Sequence, residues 1–112
     1  MKTLVIYSVI IICCFDVPSL SQTKKGASSW FRSGKEKANN KDYYGAVEDF
    51  SKAIELNPGF AKAYYHRGIS YLKYNRKSKT RSAVYEQKAR EDFMKARELG
   101  FTVEQKYLDG RE

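Results

Sequence analysis

The chain has 112 residues and a net charge of +8. That length allows one domain at most, and the positive excess favours an acidic partner without specifying one. Both cysteines, Cys13 and Cys14, lie in the N-terminal apolar run, so without that run a disulfide framework, a cysteine zinc site and a thiol nucleophile are excluded.

Lys2 opens the chain with a positive charge, and Thr3 to Phe15 is mostly apolar. Asp16, Pro18 and Ser19 end the run, and Ser19-Leu20-Ser21 offers small residues to a signal peptidase. This order is that of a secretory signal, so residues 1–21 are expected to be a signal peptide cut after Ser21. The product is then secreted or periplasmic. The apolar run is shorter than the ~20 residues of a membrane-spanning helix. The alternative is an uncleaved anchor over residues 3–15, with lipid attachment at Cys13 or Cys14 a further option.

Residues 22–29 are small, polar and basic, and read as a flexible linker. The first helix is expected from Trp30 to about Asn40, with Trp30 and Phe31 in the core. Asn39-Asn40-Lys41 closes it, and Asp42 is placed to cap the next helix. That second helix, Tyr43 to Leu56, carries Ala46, Val47, Phe50, Ala53 and Ile54 at three- and four-residue steps. Asn57-Pro58 stops it, because proline lacks an N–H and restricts the residue before it. A third helix runs from Ala61 to about Tyr74, with Tyr64, Gly68, Tyr71 and Leu72 facing inward. Asn75 to Arg81 is polar and basic and reads as an exposed loop. A fourth helix begins near Ser82 with Val84 or Tyr85, Ala89, Phe93 and Ala96 inward, and Gly100 ends it. Val103 to Leu108 is expected to form a short helix that covers the open end.

The second and fourth helices repeat each other. Glu48-Asp49-Phe50-Ser51-Lys52-Ala53-Ile54-Glu55-Leu56 returns as Glu91-Asp92-Phe93-Met94-Lys95-Ala96-Arg97-Glu98-Leu99. Gly34 and Gly68, one ahead of each copy, set a period of 34. Trp30, Gly34, Tyr43, Ala46, Phe50, Ala53 and Pro58, followed by Tyr64, Gly68, Tyr71, Ala89, Phe93 and Ala96, resemble the tetratricopeptide repeat. The resemblance covers roughly Ser28 to Leu99. It implies an all-α fold: two stacked antiparallel helical hairpins, a fragment of a solenoid, with a short C-terminal capping helix. The domain is expected over 30–108, with repeat one at 27–60, repeat two at 61–101, an insertion near 75–84 and a tail at 109–112. Ser33 departs from the family's leucine, and Phe101 stands where a second proline would be. The step from Gly68 to Ala89 is nine residues longer than that from Gly34 to Ala46. A two-hairpin stack leaves one apolar face open, which the C-terminal segment, a second copy or a partner must cover.

No residue pattern points to catalysis. His66 is the one histidine, and it has no partner at metal-ligand or nucleophile–base spacing. The pairs Glu48-Asp49 and Glu91-Asp92 read as solvated helix faces. Enzyme activity, a cofactor and a metal are therefore not expected. Charge is more informative. Residues 22–41 carry six basic and one acidic residue, and 61–81 carry seven basic and none acidic. Residues 42–60 carry one basic and four acidic, and 82–112 six basic and seven acidic. The first helix of each hairpin is thus basic and the second mildly acidic.

By the resemblance, first helices line a concave surface that docks peptides or partner helices. The groove would then carry Phe31, Lys35, Asn39, Tyr65, His66, Ile69 and Lys73, and suit an acidic protein segment. The carboxylate clamp by which some family members hold heat-shock chaperones is missing: Phe31, Lys35 and His66 occupy its positions. Three readings stand. One is a protein-interaction module. Another is anionic-surface or nucleic-acid binding through Tyr71, Lys73, Tyr74 and the basic loop Arg76, Lys77, Lys79 and Arg81, with nucleic acid disfavoured by export. The last is self-association through the open hairpin face.

Overall fold

The computed structural model describes residues 25–109. The signal peptide, its cut and the alternative anchor lie outside the described residues, as do positions 110–112. Among the described residues all regular structure is helical: α1 (Ala27–Asn39), α2 (Tyr43–Leu56), α3 (Ala61–Lys77), α4 (Ala83–Glu98) and the short α5 (Gln105–Asp109). None is long and apolar enough to cross a membrane. α1 packs with α2, α3 with α4, and α2 with α3, so two hairpins stack in chain order.

Each hairpin closes on a glycine facing a phenylalanine. A Cβ on Gly34 would stand 2.7 Å from the Phe50 ring, and one on Gly68 would stand 2.8 Å from the Phe93 ring. Only hydrogen fits there, and the close approach offsets the roughly 1 kcal/mol that glycine costs a helix. Ala46, Ala53, Ala63, Ala89 and Ala96 are fully buried around these rings. Small residues at the crossings therefore set how near the backbones come.

The ends follow local chemistry. The Asp42 side chain accepts from the Gly45 N–H at 3.0 Å and caps α2, whose bounds are those expected. The α4 end is a Schellman turn: Phe101 N–H donates to Ala96 O at 2.9 Å, Gly100 N–H donates to Arg97 O at 3.0 Å, and Gly100 has φ +89°. The α1 end makes the same two bonds, Asp42 N–H to Lys37 O and Lys41 N–H to Ala38 O. There Lys41 holds φ +63°.

Four expectations are corrected. α1 begins at Ala27, so the last three linker positions are helical. Trp30 is half-exposed rather than core, with Lys25 Nζ and Lys52 Nζ 4.5 and 4.3 Å from its ring centre. α3 runs one turn past Tyr74, which shortens the loop to residues 78–82. Asn75 is the reason. It is buried, its Oδ1 accepts from Ser82 N–H at 2.7 Å, and its amide reaches Glu86 at 3.4 Å. Arg76 and Lys77 in the last turn also suit the negative end of the helix dipole.

The fourth correction concerns the acidic pairs. Glu48 and Glu91 are exposed, but Asp49 is 2% exposed and Asp92 5%. Asp49 Oδ2 accepts from Ser33 Oγ at 2.6 Å and pairs with Lys37 Nζ at 3.1 Å. Asp92 receives two bonds from the Arg67 guanidinium, at 2.7 and 2.8 Å. Ser33 and Arg67 stand 34 residues apart, each just before its hairpin's glycine. Arg67 also donates to Ser51 Oγ at 3.1 Å and so joins α2, α3 and α4.

α5 lies over the second hairpin, as the open face required. Tyr107 stacks on Phe93 with centroids 4.9 Å apart and planes at 29°. His66 sits on Phe50 in the same way, at 5.9 Å and 29°. Tyr107 thus covers the second hairpin as α3 covers the first, but over five residues instead of seventeen.

Candidate functional site

Between α1 and α3 lies an open groove of about 430 Å³. Six of the seven expected residues line it: Lys35 and Asn39 from α1, and Tyr65, His66, Ile69 and Lys73 from α3. Helical spacing explains the grouping. Positions 35 and 39 share a face of α1, and 65, 66, 69 and 73 share a face of α3. Phe31 stands apart from that lining. Its ring contacts Phe50, Phe60 and His66 at 5.6, 4.9 and 5.4 Å and supports the groove from beneath.

Sequence reasoning missed part of the lining: Ala38, Phe50, Ser70 and Tyr107. Ser70 is buried and donates to the His66 carbonyl at 2.9 Å. Tyr107, a covering residue by its sequence position, also lines the groove. Tyr65 connects the two roles, with its ring 4.9 Å from Phe101, 5.4 Å from His66 and 6.3 Å from Tyr107. Burial raises the Tyr65 phenol above its ordinary pKa, with Tyr107 and Glu104 adding to the effect.

The electrostatics have one sign. Lys35 and Lys73 are exposed, and no carboxylate lines the groove. Burial, then Lys35 and Lys62, push the His66 imidazole down to about 4, so it is neutral at pH 7. Lys73 Nζ lies 5.8 Å from the Tyr43 ring centre. The surface therefore offers ammonium groups beside aromatic and aliphatic contacts.

The alternative basic set lies elsewhere. Arg76 and Lys77 occupy the last turn of α3, and Lys79 and Arg81 are exposed in the loop. Lys77 Nζ reaches the Lys41 carbonyl at 3.5 Å beside a hollow of about 290 Å³. Tyr71 and Tyr74 are half-buried against Tyr85, at 6.0 and 5.2 Å.

Residues 34–74 match the family model described as the TPR repeat. The match takes in α1 from Gly34 onward, all of α2 and α3 up to Tyr74, and it ends before the lengthened connection to α4. No curated protein and no solved structure matches the chain. The repeat marks a module for protein–protein interaction. Residues 34–74 thus carry a TPR repeat, and the second hairpin resembles the first in its closure of glycine on phenylalanine.

Proposed function

We propose that the chain is an exported interaction module that holds an acidic peptide or partner helix in the groove between α1 and α3. The observation that carries this reading is the lining itself: Lys35 and Lys73 beside Tyr65, His66 and Ile69, with no carboxylate among them. Lysines steer an acidic segment into the groove, and the buried aromatic contacts supply most of the affinity. Export rests on the charged, apolar and small-residue order of positions 1–21. The mass of the exported product tests the cut after Ser21; a retained Met1 on a membrane-bound product overturns it.

The groove is tested by reversing its charge without touching the core. Lys35→Glu with Lys73→Glu is compared with a loop variant, Arg76→Glu, Lys77→Glu and Lys79→Glu, in capture of an acidic peptide. The double variant should weaken capture more than the triple, although it changes fewer charges. Added salt should weaken the wild type, because exposed charges act over about 8–10 Å at physiological ionic strength. Tyr65→Ala separates contact from steering. Loss of capture in the loop variant alone would transfer the function to an anionic surface on the 76–81 segment.

A further inference from the structure

A second groove, of about 440 Å³, runs between α2 and α4 on the side away from the lysine groove. Tyr71 of α3 forms its floor. At ~100° per residue it points about 200° round that helix from Ile69, which faces the first groove. Tyr44, Tyr74, Tyr85 and Tyr71 form a continuous ladder of rings across α2, α3 and α4, with successive centroids 5.7, 5.2 and 6.0 Å apart. Tyr44 is 54% exposed at the ladder's open end.

Packing alone does not account for tyrosine at all four positions. Leucine or phenylalanine would fill the same space. Tyrosine adds a hydroxyl, and among the described residues none of these four hydroxyls hydrogen-bonds within the chain or is buried without a partner. Tyr44, Tyr71 and Tyr85 line this groove, with Tyr74 on the neighbouring hollow beside Lys77, so three of the hydroxyls are donors left open to a ligand here. The rim is balanced in charge, with Glu48 and Glu55 against Lys52 and Lys88. On a chain of net charge +8, such a balance selects a ligand by ring contact and hydrogen bonding rather than by charge.

We propose that this groove binds a proline-rich segment of a partner protein in the polyproline II conformation. Such a segment has no internal hydrogen bonds, so its carbonyls are free to accept from phenol hydroxyls. Its rings pack on aromatic faces, and its stiffness lowers the entropy lost on docking. A partner helix would bring carbonyls already bonded and would leave the hydroxyls unused. Lys88, whose Nζ lies 5.7 and 5.9 Å from the Tyr71 and Tyr85 ring centres, swings aside as the peptide enters.

The test is a titration of the full ¹⁵N-labelled chain with a decaproline peptide, read by amide shifts and by calorimetry. Shifts should concentrate on α2, the second half of α3 and the start of α4. Binding should be insensitive to salt and unchanged in Lys35→Glu/Lys73→Glu. Tyr44→Ala, at an exposed site, should weaken binding about tenfold. Tyr85→Phe removes only a hydroxyl, which keeps the test sound if a truncation disturbs the fold, and should weaken it several-fold. No shift at millimolar peptide, shifts centred on Lys35 and Lys73, or the same shifts with a neutral oligosaccharide and none with decaproline would each overturn the proposal.

Discussion

Arg67 ties three helices together through Asp92 and Ser51. Burial works against its charge, and the Asp92 carboxylate more than restores it; burial also pushes the Asp92 carboxyl up against the pull of the guanidinium. Removing one partner leaves the other buried and unpaired. Arg67→Ala should therefore cost about 3–5 kcal/mol in a denaturant melt, whereas Arg67→Met with Asp92→Leu should cost much less. Equal losses in both variants would show that packing, not charge pairing, dominates the site. This network was only half legible in the sequence. The repeat of Glu-Asp-Phe marked the aspartates as equivalent, but their partners on the preceding helix, Ser33 and Arg67, share a repeat position and differ in type, so residue identity did not reveal them. His66 gives a pH test with a definite sign. Its folded pKa of about 4 lies below its ordinary value of 6.5, so the unfolded chain binds the proton more readily. Stability should be flat above pH 6.5, fall as pH drops toward 4 and level off below. The loss should be about 1–2 kcal/mol once solvent access to the ring is allowed for. His66→Gln should remove that slope from the melting curves; an unaltered slope would assign it to the carboxylates.

Among the helices, legibility followed the strength of the stop signal. α2 was readable to the residue because Asp42 caps one end and Asn57-Pro58 closes the other. α3 lacked such a signal. Its last turn depends on Asn75 reaching Ser82 and Glu86, seven and eleven positions later, and composition records no such long reach. α5 was readable as a cover because the hairpin stack required one. Its second role, as the end wall of the groove, depends on how Phe101 docks on Tyr65, which no local pattern fixes. Deleting residues 101–112 should expose Phe93 and Tyr65, because it strips Tyr107 from both and Phe101 from Tyr65. Without those two rings, the domain should be destabilised by about 2–4 kcal/mol or form oligomers across the bared seam. Calorimetry and light scattering check this. An unchanged melting temperature in an unchanged monomer would show that the hairpins close without α5.

At the scale of the whole molecule, the basic first helices serve two purposes that the charge counts alone could not separate. Lys37 and Arg67 turn toward the acidic second helices and neutralise Asp49 and Asp92 inside the fold. Lys35, Lys62 and Lys73 remain at or beside the groove, where burial above all, with Lys35 and Lys62 adding to it, keeps His66 neutral. A net charge of +8 works against the compact state, and the exposed groove lysines contribute to it. A groove lined by one sign of charge is thus held at some cost to stability. Raising salt from 0.01 to 0.5 M as a test should raise the wild-type melting temperature by about 2–4 °C, because screening relieves the repulsion while the buried pairs are little affected. Lys35→Glu with Lys73→Glu should melt higher than wild type at low salt, respond less to added salt, and still fail to capture an acidic peptide. That combination, more stable and less able to bind, is expected only if the groove's lysines are placed for a ligand. A double variant that melts lower than wild type at low salt would mean that Lys35 and Lys73 stabilise the fold, and the groove would lose its claim as the binding face.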